Sequence, residues 1–115
     1  MHAHETLSEL GDQGRLLRDQ IPEVYSAYAH LGAAAMKEGA LPVKFKELLA
    51  LVIGVIRECD GCIASHARSA VRAGASEAEV AEALGVAILM NGGPGTVWGP
   101  RAFAAFSEYV ASSPD

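Results

Sequence analysis

KFKELLALVIGVIRECDGCIASHARSAVRAG, residues 44–74, is the stretch whose reading decides the fold. Its apolar residues recur at three and four positions rather than two, which predicts helix and argues against strand. The first helix begins near Pro42 and runs through Cys59. Its middle, LLALVIGVI, is apolar on every side, the pattern of a helix buried on all faces. Asp60 and Gly61 interrupt the run, a second helix starts at Cys62, and Gly74 closes it as a C′ residue.

Outward from this pair the punctuation remains helical. Before it, Glu5 to Gln20 carries Leu7, Leu10 and Leu17 at helical spacing, with Ile21 just beyond, although Gly11 and Gly14 weaken the pattern. Pro22 opens the next helix at its first turn and Gly39 ends it; Tyr25, Tyr28, Leu31 and Met36 are its large apolar groups. After the pair, Ser76 and Glu79 form a capping box that opens SEAEVAEALGVAILM. The stretch NGGPGTVWGP, residues 91–100, breaks the pattern and reads as a turn, with Trp98 packing on a neighbouring helix or subunit. A last helix, from about Pro100 to Ala111, carries Phe103, Phe106, Tyr109 and Val110. No repeat, linker or low-complexity tract divides the chain. The expected architecture is all-α: one domain over residues 1–115, a single-domain bundle of about six helices.

Composition fits that architecture and narrows the function. The 115 residues include 21 alanines and only seven aromatics, so close packing of small apolar side chains outweighs bulky ones. Fourteen acidic against nine basic residues give a net charge of −5, which excludes the basic excess needed to neutralise phosphates or dock on an anionic membrane. Neither nucleic acid nor a membrane is an expected partner. The longest apolar run, Leu48 to Ile56, is far short of the roughly 20 residues that span a bilayer. MHAHETLSEL lacks the basic and apolar regions of a signal peptide, so the expected location is cytoplasmic. A chain of this length has little capacity to enclose one helix all round, and the apolar third helix therefore implies a homo-oligomer.

Chemistry concentrates between Glu47 and His66. Two cysteines are too few for a disulfide scaffold, but Cys59 and Cys62 are spaced as C-x-x-C, which in a chain without a secretion signal indicates a redox or metal pair. Cys62 starts a helix, where the N-terminal dipole favours a thiolate, and His66 lies four residues on, on the same helix face. An imidazole beside a thiol can take its proton. Cys59, at the end of the preceding helix, lacks the dipole and suits a resolving thiol.

In these residues the sequence resembles the alkylhydroperoxidase AhpD-like proteins of the carboxymuconolactone decarboxylase superfamily. Glu47, Cys59, Cys62 and His66 reproduce that family's E-x11-C-x2-C-x3-H pattern. The flanking KFKELLAL, CIASHARSAVRAGAS and EAEVAEALGVA agree with it, and the resemblance covers about Leu41 to Met90. It implies that Cys62 is the peroxidatic thiol, that Cys59 resolves it into a disulfide, and that His66 with Glu47 forms a proton relay. It also implies a hydroperoxide substrate, a dithiol or redox-protein reductant, no metal, flavin or haem, and assembly as a homotrimer or homohexamer. Many hydroperoxidase members carry a His just before the second cysteine; here that place is Gly61.

Helix arithmetic sets an expectation for Glu47. At about 1.5 Å per residue it lies roughly 18 Å down the third helix from Cys59, while His66 lies about 6 Å down the fourth from Cys62. As simple antiparallel neighbours the two side chains would sit about 12 Å apart along the axes. Contact then requires a large crossing angle, a water or another subunit.

Other readings compete with these. The cysteines could be buried small hydrophobes at i, i+3. A zinc site from Cys59, Cys62 and His66 lacks a fourth ligand unless Glu47 or the distant His30 supplies it. His30 otherwise reads as a helix-surface residue, and His2 and His4 as part of a frayed terminus. NGGPGTVWGP has no G-K-[ST] and fails as a phosphate loop. A carboxymuconolactone-decarboxylase-type lyase using His66 on a lactone acid, and a non-catalytic redox-sensing module, are the alternative functions; the lyase chemistry has no need of two cysteines.

Overall fold

A computed structural model describes residues 2–113 and shows six helices in chain order: α1 (Ala3–Gln20), α2 (Pro22–Met36), α3 (Val43–Ile56), α4 (Asp60–Arg72), α5 (Glu77–Asn91) and α6 (Gly93–Ser112). The all-α bundle expected from the sequence is the observed fold. Its core is assembled from α3, α4, α5 and α6, with α1 laid against α4 and α2 resting mainly on α1 and α3. Leu51 and Val55 of α3, Ile63, Ala64, Ala67 and Ala70 of α4, Val80 and Leu84 of α5, and Phe106 of α6 are buried together. Seven alanines, Ala3, Ala64, Ala67, Ala70, Ala87, Ala102 and Ala105, stand in that core, so helix axes approach closely without large side chains between them. Among the described residues no helix is long and apolar enough to cross a membrane.

Two boundaries, around the site and in the last helix, differ from the sequence reading. Helix α3 ends at Ile56 rather than Cys59, because Glu58 takes a left-handed conformation (φ 53°). The N–H of Cys59 then donates to the carbonyl of Gly54 at 3.0 Å and that of Glu58 to Val55 at 3.1 Å, a Schellman C-cap. The C-terminus of α4 repeats the pattern with Gly74 (φ 85°) at the left-handed position, Ala75 bonding to Ala70 and Gly74 to Val71, each at 3.0 Å.

Helix α6 begins at Gly93, not Pro100, so most of the stretch read as a turn is helical and Pro100 lies inside it. The glycines are there for packing. Only Gly92 (φ 65°) makes the elbow between α5 and α6, while Gly95 is buried so close to α5 that a Cβ would stand 2.9 Å from Ile88 Cα. Gly95, Gly99, Ala102, Phe106 and Tyr109 form one buried stripe at helical spacing. Trp98, on this helix, packs against the core and carries the guanidinium of Arg101 4.9 Å over its ring.

The N-terminus is anchored rather than frayed. Ala3 is fully buried, and the backbone N–H groups of Ala3 and His4 donate to the Glu108 carboxylate at 3.0 and 2.8 Å. Burial pushes that carboxyl up, but the two N–H bonds outweigh it and hold it below its usual range. The His4 ring packs on Tyr109 with centroids 4.5 Å apart.

Within one chain the apolar surface of α3 is only partly covered: Leu51 and Val55 are buried, whereas Phe45, Leu49, Ile53 and Ile56 are exposed. Helix α2 buries no residue at all, and Val24, Tyr28 and Leu31 face outward. Its C-terminal end is held by Lys46, whose Nζ donates to the carbonyls of Ala35 and Lys37.

Candidate active site

The α3–α4 connection brings the four predicted residues to one place. Cys59 and Cys62 are joined as a disulfide, with Cα atoms 5.2 Å apart. Cys59 is half-buried and Cys62 exposed, so an incoming reagent meets Cys62 first. Because α3 stops three residues early, Cys59 is not the last residue of that helix but the N-cap of α4. Its Sγ accepts the N–H of Cys62 at 3.2 Å. The partial positive charge of the helix N-terminus, expected to act on Cys62 alone, therefore acts on the Cys59 sulfur as well.

His66 lies one turn along α4 from Cys62, and its Nδ1 is 2.8 Å from Oε1 of Glu47. The contact is direct, against the expectation of layers some 12 Å apart. The reference layer is what changes: α3 and α4 are closest at Gly54, where a Cβ would meet Cys62 Cβ at 3.4 Å and Ile63 at 3.5 Å. Counted from there, Glu47 is only about 10 Å down α3 and His66 about 6 Å down α4, an offset that two side chains span. No intermediary at position 61 is needed. Gly61 instead lies under α1, where an added Cβ would fall 2.6 Å from Leu10 Cδ1, so that Leu10 occupies the space a side chain at 61 would take.

Glu47 is 8% exposed and, among the described residues, is the buried charged group and pairs with His66. A buried carboxylate bonded to Nδ1 orients the ring and fixes the tautomer of the neutral imidazole. The remaining nitrogen, Nε2, bonds to none of the described residues and is free to exchange a proton at the cysteine end of α4. Neither sulfur is hydrogen-bonded to His66 in this oxidised state. Among the described residues no group of three or more His, Cys, Asp and Glu side chains is placed to hold a metal ion. His30 is on the exposed face of α2, as expected.

Comparison with known proteins places the chain and its fold in one family. The sequence model of the carboxymuconolactone decarboxylase family matches residues 22–108. An uncharacterised protein of Cupriavidus necator is 36% identical over 105 residues, 91% of this chain and 93% of its own. The crystal structure of a carboxymuconolactone decarboxylase family protein from Legionella pneumophila superposes with a TM-score of 0.90 at 34% identity, covering 93% of this chain and 96% of that one. A family protein from Thermotoga maritima with a suspected part in the antioxidative response aligns at a TM-score of 0.75 and 29% identity, over 90% and 91% of the two chains.

Proposed function

The chain belongs to the carboxymuconolactone decarboxylase family, and on that premise we propose that it is a cysteine-based peroxidase of the alkylhydroperoxidase type. The observation that carries the reading is the Glu47–His66 hydrogen bond of 2.8 Å, set one helical turn from an exposed cysteine that already forms a disulfide with its neighbour. A structural disulfide has no use for a buried carboxylate aimed at an imidazole beside it.

In the reduced enzyme His66 takes the Cys62 proton, and the imidazolium is held by Glu47. The thiolate attacks the terminal oxygen of a hydroperoxide; the O–O bond breaks, Cys62 becomes a sulfenic acid, and the departing alkoxide takes the proton from His66. The Cys59 thiol then attacks the sulfenic sulfur and water leaves, giving the disulfide. To reset the pair, an external dithiol attacks the exposed Cys62 sulfur. Cys59 leaves as a thiolate at the N-cap, where the Cys62 N–H and the helix dipole stabilise it, and a lower leaving-group pKa speeds exchange. The external dithiol finishes as a disulfide, so two electrons pass from it to the hydroperoxide.

The exposed apolar groups of α2 and of the outer side of α3 support assembly as a homotrimer or homohexamer, since contiguous apolar surface of this kind marks an interaction site. Titration of thiols before and after one equivalent of hydroperoxide tests the function. The expected result is loss of two thiols per chain, recovered with a dithiol and abolished in Cys62→Ser. Unchanged thiols would overturn it.

A further inference from the structure

On the side of α4 away from His66, a cleft of about 710 Å³ opens between α1, α4 and α6. That volume is in the range of small-molecule sites. Its floor is Tyr109, 6% exposed, whose hydroxyl has no hydrogen-bond partner. The buried Nε of Arg68 is likewise unpaired, and Arg72, one turn on, lines the same wall. Neither arginine has an ion pair among the described residues. Burial, with the Glu108 charge, pushes the Tyr109 hydroxyl above its usual range while Arg68 and Arg72 pull it the other way, so both guanidiniums act on it. Glu108, the carboxylate on the neighbouring position, is already engaged by the Ala3 and His4 N–H groups and by the His4 ring 3.6 Å away. Leu7 and Val71 supply an apolar wall.

Buried polar atoms in native proteins have partners, and two orphans on residues that line one cleft, together with a second guanidinium, leave a vacancy for an acceptor with negative charge. We propose that this cleft binds a small organic carboxylate, its oxygens taking the N–H groups of Arg68 and Arg72 and the O–H of Tyr109, and its hydrocarbon lying on Leu7 and Val71. None of the lining residues belongs to the Glu47–His66–cysteine site, so the cleft is a second site on the opposite face of α4. Two arginines suit a planar carboxylate because the guanidinium fork matches it in two bonds.

Calorimetric titration of the oxidised full chain with hexanoate tests the assignment, with inorganic phosphate as the comparison anion. Saturable hexanoate binding is expected, weakened at least about tenfold in Arg68→Gln and in Arg72→Gln, the size of one lost charged hydrogen bond. Tyr109→Phe is the decisive variant: since its hydroxyl is unpaired in the free protein, thermal stability should hold while hexanoate affinity falls. The titration contains no hydroperoxide and leaves the disulfide untouched, which separates this outcome from any failure of the peroxidase reading. Absence of saturable hexanoate binding, unchanged affinity in the arginine variants, or phosphate binding as tight as hexanoate would overturn the proposal.

Discussion

Helix α4 is entered and left through the same hydrogen-bonded turn, yet the left-handed position is Glu58 before it and Gly74 after it. At Gly74 the chain uses the residue with no Cβ penalty, and the turn serves only to redirect the backbone toward the Ser76 cap of α5. At Glu58 a side chain sits where it costs about 1 kcal/mol. The residue after it is Cys59, whose sulfur must reach the N-cap of α4. A glycine there would relieve the strain but loosen the backbone that places that sulfur. The contrast teaches that one turn is tuned for stability and the other for the position of a reactive atom.

Five expectations test the contrast, the largest first. On the chemical side, His66→Ala should slow the reaction of Cys62 with hydroperoxide by about 10²–10⁴, the usual contribution of a positioned acid–base group. Glu47→Gln, which keeps an acceptor for Nδ1 but removes the charge, should slow it by about tenfold. Stopped-flow rates on the reduced protein measure both, and an unaffected His66→Ala rate would remove the relay from the mechanism.

On the structural side, Gly74→Ala should destabilise the fold by about 1 kcal/mol without changing the peroxide rate. Nothing lies within 4 Å of a Cβ there, so the cost is purely conformational. Urea unfolding of the oxidised chain gives the stability; a slowed peroxide reaction would mean that the second turn is also part of the site.

Glu58→Gly should do the reverse, raising stability by about 0.5 kcal/mol, the strain relieved less the entropy a glycine costs. Disulfide closure after the sulfenic acid forms should become slower. If closure is unchanged, the first turn is no more specialised than the second.

The smallest effect is in acid. Glu79, held by the Ser76 N–H and by Lys44, and Glu108, raised by burial but more strongly lowered by the His4 and Ala3 N–H groups, both have pKa values below their ordinary 4.5. Depressed carboxylates stabilise the fold above that value, and the contribution is lost as pH falls through it toward the folded-state value. Glu79→Gln and Glu108→Gln should each flatten the decline of the unfolding midpoint below pH 5. An unchanged acid limb would mean these pairs carry no folding energy.

What the sequence disclosed follows the range of the interactions. The six helices and the spacing of Cys59, Cys62 and His66 were legible because periodicity, caps and motif spacing are local, while Glu47 entered through the family resemblance and reads by itself as a solvated charge. The end of α3 was not legible, since a left-handed glutamate has no signature; counting from Cys59 instead of from the close approach at Gly54 misplaced the layers and made Glu47 seem remote from His66. The start of α6 was misread because glycine and proline usually mark a turn; the stripe through Gly95, Gly99, Ala102 and Phe106 was the signal that could have corrected it. The N-terminal anchor on Glu108 and the Arg68–Tyr109 cleft depend on residues far apart in the chain, which no local pattern shows.

The clasp between the two ends of the described chain has a topological consequence. His4 Nε2 and Ser112 Oγ are 3.2 Å apart, and Glu108 holds the first turn of α1. The fold is therefore nearly a closed ring, so a short glycine-rich linker joining its ends, with new termini opened in the exposed segment 37–42 between α2 and α3, should give a circular permutant with the cysteine site intact.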